Sequence, residues 1–191
     1  MLTIDFNGDE LVRTLIERLL ADIRKSGNPD DKSAWTMSLK RVMKNLAADK
    51  RFGDGVRYYG HCVDDDPDDH EWLLDVIWFR ADDGVLLALE SEWERRTTGF
   101  VRDDFQKLLA TKAPIKLMLF DSGGKEKNRS DFIADMQTCA WRFTQHLKHE
   151  LYYIIDFSAG AHHVWWFQPS VDGADKTLTF TPRPDLSGPD V

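Results

Sequence analysis

The sequence predicts an α/β fold: one domain with a mixed β-sheet flanked by helices. Three observations lead there. Apolar residues recur at helical spacing over 9–25, 32–50 and 129–149. Short apolar runs at 71–79, 85–92, 115–120 and 151–157 are bounded by turn-forming residues. The resulting order is two helices, three strands, helix, strand, helix and two strands. A meander followed by strand–helix–strand requires antiparallel and parallel pairs in one sheet, with helices covering it.

The first expected helix covers 9–25, with Leu11, Leu15, Leu19 and Ile23 on one stripe, and Ser26-Gly27-Asn28-Pro29 ends it. A second covers 32–50, with Trp35, Leu39, Val42, Met43 and Leu46 inward. A turn at 51–55 leads into a strand at 56–62. Asp64-Asp65-Asp66-Pro67-Asp68-Asp69 is read as a loop, because packed like charges and a proline do not suit a ladder. The runs 71–79 and 85–92 are joined by Arg80-Ala81-Asp82-Asp83-Gly84, and Asp-Gly between apolar runs predicts a hairpin. A helix over 100–112 carries Phe105, Leu108 and Leu109 on one face. Ile115 to Phe120 has almost no polar residue, as expected of a strand covered on both sides. A helix over 129–149 precedes strands at 151–157 and 162–168, and 177–180 could add an edge strand. The domain is thus expected over 1–180, with a helical part at 9–50, an α/β core at 56–168, and a flexible tail at 181–191.

Composition narrows the function. The chain has 191 residues, 42% of them hydrophobic and 30% charged, which suits a packed core rather than a disordered polyampholyte. Its two cysteines, Cys62 and Cys139, form no C-x-x-C pattern, which argues against a disulfide scaffold or a cysteine zinc module. Both are read as small core residues. No apolar run is long enough to span a bilayer and no secretory signal is expected, so a soluble cytoplasmic protein is predicted. The net charge of −8 argues at first against nucleic acid, but residues 64–92 hold 11 acidic residues against one basic. Outside that stretch the charge is close to balanced.

The informative residues are Asp75 and Glu90-Ser91-Glu92. Asp75 interrupts an apolar run, and Glu90 and Glu92 lie two apart, on one face of a strand. A two-residue turn sets Asp75 opposite Glu92, and a four-residue loop sets it opposite Glu90. Either register puts the three carboxylates on one face. Like charges so placed call for a shifted titration, a nearby cation or a divalent metal ion. Hard cations such as Mg²⁺ take one or two carboxylates plus waters and substrate phosphate.

In these residues the chain resembles the PD-(D/E)XK nuclease superfamily, the restriction-endonuclease-like fold. The motif likeness runs over about 56–121, and over 9–157 with element order included. Asp75 matches the first acid, and Glu90 matches the acid of the (D/E)-x-K motif. Leu74 stands where the proline would be, and Glu92 where the lysine would be. Lys107, in Asp104-Phe105-Gln106-Lys107, could supply a lysine from the following helix. The resemblance implies Mg²⁺-dependent hydrolysis of phosphodiester bonds in nucleic acid, DNA ahead of RNA, with Mn²⁺ as a substitute ion. Asp75, Glu90 and Glu92 would be metal ligands, and Glu92 or Lys107 would orient or deprotonate the water. Lys107 could instead steady charge on the phosphate. Glu17, a helical acid, is a possible further ligand. The missing motif lysine also allows a catalytically inactive module with a protein partner, and a homodimer is left open.

Other candidates have plainer readings. His162 and His163 are adjacent in a strand, point to opposite faces and do not chelate one ion. His61 and His70 flank the acidic loop at no recognised metal spacing. Gly123-Gly124-Lys125 lacks the rest of a phosphate-loop motif. Lys125, Lys127 and Arg129, with Arg95, Arg96 and Arg102, are ordinary surface charge or phosphate contacts.

Overall fold

In the computed structural model, residues 6–28, 30–60, 73–93, 98–147, 149–158, 160–169 and 179–189 are described. The chain forms two compact units, Met1–Ala88 and Leu89–Val191. Each combines helices with strands.

In the first unit, α1 (Gly8–Ser26) begins where the Asn7 side chain accepts the Asp9 and Glu10 amides, and ends at Gly27 in the left-handed region. Its expected stripe is buried, with Leu11, Leu15 and Leu19 fully inaccessible. The second helix, α2 (Lys32–Ala47), is capped by Asp31, which accepts from Ser33 and Ala34. It stops short of residue 50 because Asp49 caps a separate 3-10 turn, Lys50–Phe52, accepting the Arg51 amide. Strand β1 (Arg57–Tyr59) pairs antiparallel with β2 (Val76–Arg80), with Tyr58 opposite Trp78. Both are shorter than the runs 56–62 and 71–79 suggest. Leu73 to Asp75 form a bend, and the acidic loop with His61 and His70 lies outside the described residues. Gly60 ends the pairing: a Cβ there would lie 2.8 Å from the Asp75 carbonyl, too close for any other residue. The turn after β2 is closed by the Asp83 amide on the Arg80 carbonyl, and Gly84 supplies φ +80. Strand β3 (Gly84–Glu92) starts in this unit, beside β2.

In the second unit the strand order runs from the end of β3 through β4 (Ile115–Phe120), β5 (Leu151–Ser158) and β6 (Ala161–Phe167). The short strands β7 (Thr181–Pro182) and β8 (Gly188–Pro189) both pair with β6. β4 and β5 are parallel, and β5 and β6 antiparallel, so this sheet is mixed as expected. The helix α3 (Thr98–Ala110) precedes β4, and α4 (Glu126–Arg142) makes the parallel crossover. All six residues of β4 are buried.

Two expectations change here. The last long helix runs three residues earlier and ends seven earlier than 129–149. His146 turns inward, and its Nε2 lies 3.0 Å from the Ala140 carbonyl in the last turn of the helix. The supposed tail from 181 is ordered instead by pairing with β6, and Leu186 is buried there. Residues 177 and 178 of the suggested edge strand lie outside the described residues. Among the described residues, no helix is long and apolar enough to cross a membrane.

Candidate functional site

Glu90 sits near the end of β3 and is 3% exposed, held among Leu89, Trp93 and the rest of a buried apolar strand. A carboxylate so placed needs a cation or donor. Lys107 provides one. Its neighbours Phe105, Leu108 and Leu109 anchor α3 in the core, while Lys107 itself is 40% exposed along its side chain. Its Nζ reaches Glu90 Oε1 at 3.2 Å and Asp104 Oδ1, one helical turn back, at 2.7 Å. Burial pushes the ammonium towards its neutral form, but the Asp104 and Glu90 carboxylates overcome this and hold its pKa above the ordinary lysine value.

Lys107 therefore meets Glu90 within one unit. Glu92, two residues on, is half-buried, and its carbonyl accepts the Asp121 amide at 3.3 Å, joining the ends of β3 and β4. Asp75 lies in the first unit, half-buried in the bend before β2. Glu17 is exposed on α1. Asp104 was not singled out from the sequence, although its i, i+3 spacing from Lys107 was visible.

Carboxylate oxygens such as those of Glu90 and Glu92 are of the type Mg²⁺ and Mn²⁺ accept. Among the described residues, no three His, Cys, Asp or Glu side chains are grouped to hold a metal ion. Such ions often keep most of their waters and take only one or two protein carboxylates.

Two further polar clusters occupy the second unit. Lys116, on β4, donates to Glu150 Oε2 at 2.9 Å and to the Tyr152 hydroxyl at 2.7 Å. Tyr152 in turn donates to Glu150 Oε1 at 2.9 Å, and His146 Nδ1 lies 2.5 Å from the same oxygen. Burial pushes the Glu150 carboxyl up, but His146 and Lys116 outweigh it and leave its pKa below the usual value. Burial draws the Lys116 ammonium down against the pull of Glu150, and pushes the Tyr152 hydroxyl up. At the other end of the strands, buried Asp156 accepts the Ser122 amide and hydroxyl and the Arg129 Nε, at 2.9, 2.7 and 2.7 Å. Arg129 also donates to Ser158. The Gly123-Gly124 loop is thereby tied to β5. Arg129, one of the suggested phosphate contacts, is committed to Asp156, and Lys127 pairs with Asp131.

His162 is buried and packs on Phe157, while His163 stands opposite Asp156 in the ladder. Cys139 is half-buried rather than a core residue. It lines a groove of about 510 Å³ between α3 and α4 and takes a weak hydrogen bond from Gln106 at 3.7 Å. Cys62, Arg95 and Arg96 lie outside the described residues.

Comparisons with protein families, with characterised proteins and with solved structures found no match for the chain.

Proposed function

We propose that this chain is a nuclease-like protein that acts on phosphodiester bonds of nucleic acid, DNA first, through a PD-(D/E)XK-type site. The observation that carries this reading is the Lys107 ammonium 3.2 Å from Glu90. The motif requires an acid and a lysine together, and the residue two after Glu90 is Glu92. Lys107 supplies the missing cation from the next helix. Held charged by two carboxylates, it serves as a stabiliser of negative charge rather than as a proton acceptor. Glu92, the half-buried neighbour on β3, is the group assigned to orient the attacking water. A Mg²⁺ or Mn²⁺ ion would polarise the phosphate and lower the pKa of a bound water. Glu90 and Glu92 are the second unit's oxygen donors for it, and Asp75→Ala tests the remaining motif acid.

The test is cleavage of plasmid and single-stranded DNA with Mg²⁺ or Mn²⁺, set beside Asp75→Ala and Lys107→Met. Cleavage by the parent protein, reduced about 100-fold or more by each substitution, is the expected result. A bound ion present at 100 times its Kd stabilises the native state by about 2.7 kcal/mol, or roughly 5–10 °C in Tm for this length. No cleavage, and no melting shift with Mn²⁺, would remove the enzymatic reading. A second reading then stands: an inactive nuclease-like module that binds without turnover. It is favoured by the same Glu90–Lys107–Asp104 contacts, which already neutralise the buried acid.

A further inference from the structure

We propose that Asp104 is the positioning residue of this site: it anchors Lys107 so that one ammonium contacts Glu90 and still presents a proton to an anionic oxygen of a nucleic-acid phosphate. The inference rests on the nuclease-like reading for its ligand, but its geometric part stands without it.

An ammonium has three N–H donors on a flexible stem, and such a stem loses considerable rotamer freedom when it is fixed. Lys107 Nζ lies 2.7 Å from Asp104 and 3.2 Å from Glu90, so the nearer partner is on its own helix. Asp104 is rigidly placed one turn before Lys107, next to Phe105, whose side chain is fully buried. Its own side chain is 19% exposed, that of Lys107 40%, and that of Glu90 4%. The cation thus bridges a buried acid and a solvent-accessible edge. With three N–H donors and two carboxylate neighbours, the ammonium retains a donor for a ligand arriving from solvent. Without Asp104 the stem would be free to swing away from Glu90, because the nearer of its two carboxylate partners is lost. Asp104 touches no reacting atom in this scheme and acts only through Lys107.

The experiment compares the parent protein with Asp104→Asn, Asp104→Glu and Lys107→Arg. Lysine ammonium resonances slowed by ion pairing are recorded by NMR. Lys107 is assigned by its absence in Lys107→Arg, and buried Lys116 serves as the internal control. Asp104→Asn should abolish the slowed Lys107 resonance and leave that of Lys116 in place, and Asp104→Glu should restore it. In parallel, single-turnover DNA cleavage in Asp104→Asn should fall about tenfold or more with KM within twofold, and recover in Asp104→Glu. An unaltered Lys107 resonance in Asp104→Asn overturns the anchoring role, whatever the activity. A lost resonance with full cleavage overturns the part that concerns the reaction. If the parent protein does not cleave DNA, the nuclease reading fails by itself. The affinity for a short DNA duplex then takes the place of the rate: weakened binding in Asp104→Asn supports the phosphate contact, and unchanged binding refutes it.

Discussion

Replacing Lys116 with methionine removes one charge from the buried cluster of the second unit and keeps the volume nearly constant. Lys116 and Glu150 are each 1% exposed along the side chain, so neither charge has water to fall back on. Breaking such a pair from one side costs about 3–5 kcal/mol, because an uncompensated charge stays behind. Here the remaining carboxylate keeps two neighbours on Oε1, Tyr152 and His146. The expected loss is therefore at the low end, ~3 kcal/mol, even with the cation–π contact of Lys116 over the Tyr152 ring also lost. For a chain of this length, that lowers Tm by roughly 6–12 °C. The pH dependence has a fixed sign. A carboxyl whose folded pKa lies below its unfolded value of 4.5 contributes stability above that pH and loses it as acid titrates the folded form. Lys116→Met raises the Glu150 pKa, so acid unfolding should begin at higher pH. Urea denaturation of Lys116→Met, Glu150→Gln and the double variant completes the cycle. The double variant should lose less than the sum of the singles by about 1–3 kcal/mol. A loss under ~1 kcal/mol for Lys116→Met, or strict additivity, refutes the reasoning.

Two other outcomes follow from the same unit. Asp156→Ala leaves the Ser122 amide and hydroxyl and the Arg129 Nε without their acceptor. It should cost ~3 kcal/mol in chemical denaturation, and a change below ~1 kcal/mol would contradict the buried network. Burial, reinforced by Arg129, pushes His163 below its ordinary value of 6.5. The unfolded chain therefore takes up that proton first, and stability should fall as pH drops through about 6.5. His163→Gln should flatten the stability profile between about pH 7 and 5, and an unaltered slope would exclude His163 as its source.

Local patterning made most elements readable, because helix stripes and covered strands are properties of neighbours in sequence. Strand 115–120 and the buried face of α1 needed nothing further. The errors fall where a distant partner decides. Residues 143–147 continue a plausible helical run, but His146 turns to Glu150, which Lys116 holds from 34 residues away, and the helix stops at Arg142. The segment after residue 180 is rich in proline and glycine, and only its pairing with β6 orders it. For the site, Lys107 was found from a family pattern and its position off the apolar stripe. Asp104 needed only the helical repeat but looked like one more surface acid. Lys116 and Asp156 carried a clearer signal that went unused: a single charge within a strand otherwise apolar must find a buried partner. Spacing alone could not name Glu150 or Ser122 as those partners, because each lies 34 residues away in the chain.

The two short strands on β6 also settle where this ladder ends. An exposed sheet edge invites pairing with another chain, and β6 carries Trp165 and Trp166, residues that would favour such pairing. Against Trp165 stands Pro182, and against Ala161 stands Pro189. Neither proline has an amide proton to offer an incoming strand. The covering pieces are each two residues long, too short to template a further ladder. The chain thus closes its aromatic edge with segments that propagate no hydrogen-bond register, a built-in guard against sheet-to-sheet polymerisation.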